Sequence, residues 1–169
     1  MNTKQAPKKS TWKNVIPLIC VAVPVSLLDQ VSKWLVEKNI PYGTEYGQPL
    51  LWLFNLRHDR NSGAAFSILS GQRTLLIIFT VLALVFIFFY YFRFQNIRWM
   101  QISLGFLLGG AVGNSIDRIF KANGEVVDFL QFAFWTAWPT FNIADISICI
   151  GAGMLIVYLF QNRNQHQET

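Results

Sequence analysis

Four acids lie in or beside the apolar stretches of this 169-residue chain: Asp29, Asp117, Asp128 and Asp145. Two of them flank one short connection. Asp145 falls in "FNIADISICIGAGMLIVYLF" (141–160), a run long enough to span a bilayer and otherwise free of charge. Asp128 sits in "VVDFL", between Val126, Val127, Phe129 and Leu130. Asp145 lies about 6 Å into its run at 1.5 Å per residue. A charge at the centre of a membrane helix costs roughly 2.5–3.5 kcal/mol on insertion scales, so such an acid needs a reason. Two carboxyls held together in a low dielectric cannot both ionise easily, so they share a proton. One member can then take a proton from water while the other donates to a carbonyl oxygen. The competing reading is two separate, solvated acids at the membrane surface. Spacing alone leaves both open.

The other polar residues of the apolar runs form rows. Asp29, Lys33 and Glu37 recur every four residues and can alternate along one helix face as an intrahelical ion-pair ladder. In "WMQISLGFLLGGAVGNSIDRIF", Gly105, Gly109, Gly113 and Asp117 make one row, and Gly110, Asn114 and Arg118 its neighbour. Small residues at this spacing let another helix approach closely. They do not explain Asn114, Asp117 and Arg118 at one end. Arg118 can pair with Asp117 or reach toward a substrate carbonyl or a lipid head group. Asn123-Gly124 suggests a tight bend before Asp128, with an ordinary loop as the alternative, and Asn142 stands one helical turn before Asp145.

Several chemistries drop out. The two histidines, His58 and His166, lie outside the apolar runs, so no haem ligand sits within the membrane. There is no H-E-x-x-H motif. Ser32 and Lys33 are adjacent and point to different helix faces. Cys20 and Cys149 lie in different runs and fit no metal spacing, so they read as small apolar filler. No metal or cofactor is expected, and no basic face interleaved with aromatics calls for nucleic acid.

The elements that must position these acids follow from composition. Hydrophobic residues make up 53% of the chain and charged residues 14%, with a mean hydropathy of +0.34. Soluble domains are nearer a quarter charged. Four stretches are long enough to cross a bilayer, about 14–36, 74–92, 99–119 and 141–160, so residues 1–169 read as one all-α integral membrane domain of four transmembrane helices. Lys4, Lys8, Lys9 and Lys13 precede an apolar core, but no A-x-A site follows, so the first run reads as an uncleaved span. A lipid-attachment box at Cys20 is disfavoured by the bulky Ile19. Those lysines, with Arg93, Arg98 and Arg163, place both termini in the cytoplasm and the two long connections outside. The first connection mixes breakers (Pro41, Gly43, Gly47, Pro49) with the strand-compatible "LLWLFNL". Tyr42, Tyr46, Trp52, Phe54, Trp135 and Trp138 read first as interfacial anchors. The second connection is a short loop or helix able to act as a lid. A proton conductor is disfavoured because the inner halves of the spans carry no acid. A purely structural subunit leaves the Asp128–Asp145 arrangement unexplained.

The motifs "DQVSK" (29–33), "NSGAAF" (61–66), "GNSIDR" (113–118), "VVDF" (126–129) and "FNIAD" (141–145) resemble, in order and placement, those of lipoprotein signal peptidase, the type II bacterial enzyme. The resemblance runs from the first apolar run to the fourth. It implies an aspartyl endopeptidase of the bacterial inner membrane, with four helices, a small β cradle over the substrate and its active site on the periplasmic face. Its substrate would be a diacylglyceryl-modified prolipoprotein, cut on the amino side of the lipidated cysteine. It implies inhibition by the cyclic peptide globomycin and no metal. By motif match, Asp128 and Asp145 take the catalytic positions. Asn61, Gly63, Asn114, Arg118 and Asn142 support the site or hold substrate, and Asp29, Lys33 and Asp117 are structural.

Overall fold

The computed structural model describes residues 14–163 apart from 51, 65 and 67; Lys4, Lys8, Lys9, Lys13 and His166 lie outside them. Four helices carry a three-stranded sheet at one end. In chain order the elements are α1 (Ile16–Asn39), β1 (Glu45–Leu50), β2 (Phe54–Asn61), α2 (Arg73–Phe94), α3 (Arg98–Phe120), β3 (Val126–Phe132) and α4 (Ile143–Arg163). Among the described residues, α1, α2 and α4 are long and apolar enough to cross a membrane. The 23-residue α3 is as long, but its glycines and polar side chains make it less apolar. Helix boundaries fall within a few residues of the apolar runs. Helix α1 ends where Ile40, extended ahead of Pro41, can no longer be helical.

Helix α3 is the axis of the bundle, and its glycines decide which helix approaches which face. A Cβ on Gly105 would lie 2.8 Å from the Leu18 carbonyl oxygen and 2.9 Å from Val21 Cβ, and one on Gly109 would lie 2.8 Å from Val25. That row therefore seats α1. Gly110 and Gly151 seat α4 in the same way, and Ser103 Oγ donates to the Gly151 carbonyl at 2.7 Å. The close approach also lets Ser26 Oγ reach the Gly109 carbonyl at 3.0 Å. Helix α2 packs on α3 through Ile87 and Leu104, which share a core with Leu18.

The sheet is antiparallel, in the order β1-β2-β3. The second connection therefore contributes a strand rather than only a loop or short helix. The strand was not legible because Val126–Leu130 are all buried and show no alternation. The Asn123-Gly124 bend does occur, with Gly124 at φ +66°, but it joins α3 to β3. Pro49 and Gly47 lie within β1, an edge strand with an irregular register, where a missing N–H is tolerated. Trp52 stands 92% exposed at the β1–β2 tip.

Pairing of β2 with β3 slips by one residue. Leu56 opposes Leu130, yet Asp59 opposes Asp128 and Asn61 opposes Val126. Two residues of β2, Arg57 and His58, thus face the single Phe129. Side chains alternate with period two, so this bulge moves Asn61 onto the face that carries Asp128. After β3 the chain loops out and is clasped back: the Phe141 carbonyl accepts from Phe129 N at 2.9 Å and Leu130 N at 2.8 Å, and Phe141 N returns a bond to Leu130 at 2.9 Å. Asn142, the next residue, is thereby fixed beside Asp128.

Candidate active site

The clasp delivers Asn142 to the start of α4, where it caps the helix. Its Oδ1 accepts from Asp145 N at 3.0 Å, and Asp145 Oδ2 accepts from Asn142 N at 3.1 Å. This is a reciprocal capping box built from Asn and Asp. Its signature in the sequence is N-x-x-D ahead of an apolar run. Because Asn142 Oδ1 must face a donor, its Nδ2 points away, and it donates to Asp128 Oδ1 at 2.6 Å. One residue therefore binds both acids. Asp128 is 2% exposed and Asn142 is fully buried, so Asp128 is not a solvated surface acid; Asp145 is half-buried.

The remaining oxygens are satisfied in the same manner. Asn61 Oδ1 accepts from Gly63 N at 2.8 Å, which turns its Nδ2 toward Asp128 Oδ2 at 3.0 Å. Asn114 Nδ2 donates to Asp145 Oδ1 at 2.9 Å, while its Oδ1 accepts from Asn142 Nδ2 at 3.1 Å and Lys33 Nζ at 2.9 Å. All four carboxyl oxygens accept from N–H groups, and each keeps a lone pair for a proton or water. Burial, reinforced by neighbouring Asp145, pushes the Asp128 carboxyl from 3.8 up to about 7; Asn61 and Asn142 pull it back only in part. At neutral pH Asp128 can therefore hold the proton that a shared-proton pair requires.

Behind the pair lies a buried ion cluster. Lys33 Nζ is 2.8 Å from Asp29 Oδ2 and 3.1 Å from Asp117 Oδ2. Asp29 also accepts from Ala144 N at 2.9 Å, placing a carboxylate at the positive end of α4, and Asp117 accepts from Val127 N at 3.2 Å, next to Asp128. The expected Asp29–Lys33–Glu37 ladder is only half present. Glu37 pairs with Lys121 at 2.8 Å instead, because Lys33 turns inward toward α3. Arg118 makes no salt bridge with Asp117 among the described residues. Its Nη2 donates to the Gly63 carbonyl at 3.0 Å, and Asp117 is already engaged by Lys33 and Val127 N. The structure thus gathers all ten residues singled out in the sequence around one end of the bundle. It adds Gln30, whose Nε2 donates to the Gly113 carbonyl at 3.0 Å, and Lys121, which lies 3.6 Å from Asp117. Lys121 stands four residues after Asp117, the spacing of an intrahelical ion pair, whereas nothing in local spacing marks Gln30.

The fold is that of known bacterial membrane enzymes. One such structure, solved by the in meso method at 2.3 Å resolution, superposes with a TM-score of 0.82 at 33% identity and covers 98% of each chain. A second, solved at 1.9 Å, gives 0.75 at 35% identity over 92% of this chain and 97% of its own. The lipoprotein signal peptidase of Halothermothrix orenii is 42% identical over 142 residues, 83% of this chain and 93% of that protein. The family profile described as Signal peptidase (SPase) II matches residues 21–161. The chain belongs to the signal peptidase II family, and membership makes it a protease that removes signal peptides.

Proposed function

We propose that this protein is an aspartyl endopeptidase that cuts diacylglyceryl-modified prolipoproteins on the amino side of the lipidated cysteine. The observation that carries the mechanism is Asn142 bonding both carboxyls, Asp128 at 2.6 Å and Asp145 at 3.1 Å. The likeness to the Halothermothrix orenii enzyme supports the substrate class. Ionised Asp145 takes a proton from water, and the oxygen attacks the scissile carbonyl carbon. Asp128 gives its proton to the carbonyl oxygen. Asp145 then protonates the leaving amine as the C–N bond breaks, and Asp128 recovers its proton as the carbonyl re-forms. The pair titrates jointly, so its two apparent constants belong to the couple.

Helix α3 is the fourth span in this reading. The sheet lies at the periplasmic face of the bacterial inner membrane, both termini are cytoplasmic, and acyl chains of the substrate stay in the bilayer. The lipidated cysteine then presents its scissile bond at the level of the pair. The test is cleavage of lipidated against unlipidated prolipoprotein, with and without globomycin. Wild-type protein should cut only the lipidated form and be blocked by globomycin. Asp128→Asn and Asp145→Asn should be inactive while remaining folded, and either variant cutting at the wild-type rate would overturn the mechanism.

A further inference from the structure

Lys33 is the largest side chain among the fully buried residues, at 1% exposure. Neutralising Asp29 and Asp117 does not by itself account for it, since apolar packing in place of a buried ion triad is often neutral or stabilising. Its third contact is the informative one. An ammonium only donates, so its 2.9 Å bond fixes Asn114 Oδ1 toward Lys33 and turns Asn114 Nδ2 onto Asp145 Oδ1 at 2.9 Å. The other Asp145 oxygen accepts a main-chain N–H, at the first turn of α4, where the helix dipole favours a negative charge. Asp128, on a strand, has two side-chain amides and no helix terminus.

Resting on the peptidase reading above, we propose that Lys33 is a positioning residue for the hydrolysis. Through the Asn114 amide, its charge holds Asp145 in the ionised form that accepts the water proton. The charged groups facing Lys33 are Asp29 from its own helix and Asp117 from α3. Beyond Asn114 lie Asp145 of α4 and, through Asn142, Asp128 of β3, and Arg118 of α3 is a second cation facing both of these acids. Lys121 touches the far side of Asp117.

The test is the pH dependence of kcat/KM on lipidated prolipoprotein, whose acid limb reports protonation of the base. Lys33→Gln keeps a donor near Asn114 but removes the charge, and should move the acid limb up by about one pH unit, as expected for a unit charge one residue away. Asp117→Asn removes a counter-charge from Lys33 and should move the limb down. Opposite shifts establish the role. Loss of rate in both variants with the limb unmoved would make Lys33 purely structural and overturn the proposal. If Lys33→Gln gives no cooperative melt, Asp117→Asn decides alone: a lowered limb supports the proposal, an unmoved one refutes it. A wild-type protein that leaves lipidated prolipoprotein uncut would sink the peptidase reading first, and this proposal with it.

Discussion

Gly110→Ala is the sharpest test of how the bundle sets the site. An added Cβ would lie 2.5 Å from Ser147 Oγ and 2.7 Å from Ile148 Cγ1, and closer still to the Ala144 carbonyl. Carbon atoms rest about 3.5–4.0 Å apart, so the shortfall is about 1 Å. The Ala144 carbonyl is helix backbone, so α4 must move as a body. Asp145 follows Ala144 directly. A shift of about 1 Å would stretch its 2.9 Å bond from Asn114 past hydrogen-bonding range. Misplacement on that scale costs about 10²-fold in rate. Overpacking costs about 1–3 kcal/mol of stability, offset by about 1 kcal/mol from replacing a helical glycine. Activity should therefore fall far more than stability. Gly153→Ala is the control, since nothing lies within 4 Å of its added Cβ; it should leave the rate unchanged and raise the melting temperature slightly. The assay pairs initial cleavage rates of lipidated prolipoprotein with thermal melts in the same detergent. A wild-type rate for Gly110→Ala would refute the claim that the α3–α4 contact positions Asp145.

Three further outcomes follow. Folded Asp128 keeps its proton to about pH 7, whereas the unfolded chain releases it near 3.8. Its contribution should therefore lower stability as pH rises between those values and level off above 7, and the rate should fall on the alkaline side of 7, read from melts and pH–rate profiles. Deleting His58 removes the β2 bulge and turns Asn61 away from Asp128; the alkaline limb should move up as that bond is lost, whereas an unmoved limb argues against the register account. Asn142→Ala removes the helix cap and the bonds to Asp128 and Asn114; it should destabilise by about 1–3 kcal/mol in a denaturation assay and abolish cleavage, and an active variant would refute its bridging role.

The helices were legible because each apolar run exceeds a bilayer's thickness, and that signal is redundant over twenty residues. The flanking of one connection by Asp128 and Asp145 was legible as well. What failed was partner choice across elements. The i, i+4 spacing says that Lys33 can meet Asp29 and Glu37, but whether it turns inward depends on α3, which lies 81 positions away at Asn114. The bulge opposite Phe129 was equally hidden. Nothing in "LRHD" marks an extra residue, because register is set by where Asn61 and the Phe141 clasp must land rather than by local propensity. Glu37 shows the same limit, since its partner Lys121 is 84 positions distant.

The site's charge balance follows from how its three amides are pinned. Each of Asn61, Asn114 and Asn142 has its oxygen held by a group that can only donate: Gly63 N, Lys33 Nζ and Asp145 N. Each is thereby forced to present N–H to a carboxyl. A serine or a water at any of these places could rotate and offer a lone pair instead, and the pair could then settle with both acids protonated. Pinned amides remove that option and favour negative charge, while burial and the second acid oppose a full two charges on the pair. On the proposed mechanism the balance point is one proton for two acids, the state in which one member can accept from water while the other donates to a carbonyl. That requirement explains why the residues doing the pinning are themselves a backbone turn, a helix cap and a buried ammonium, none of which can reverse its polarity.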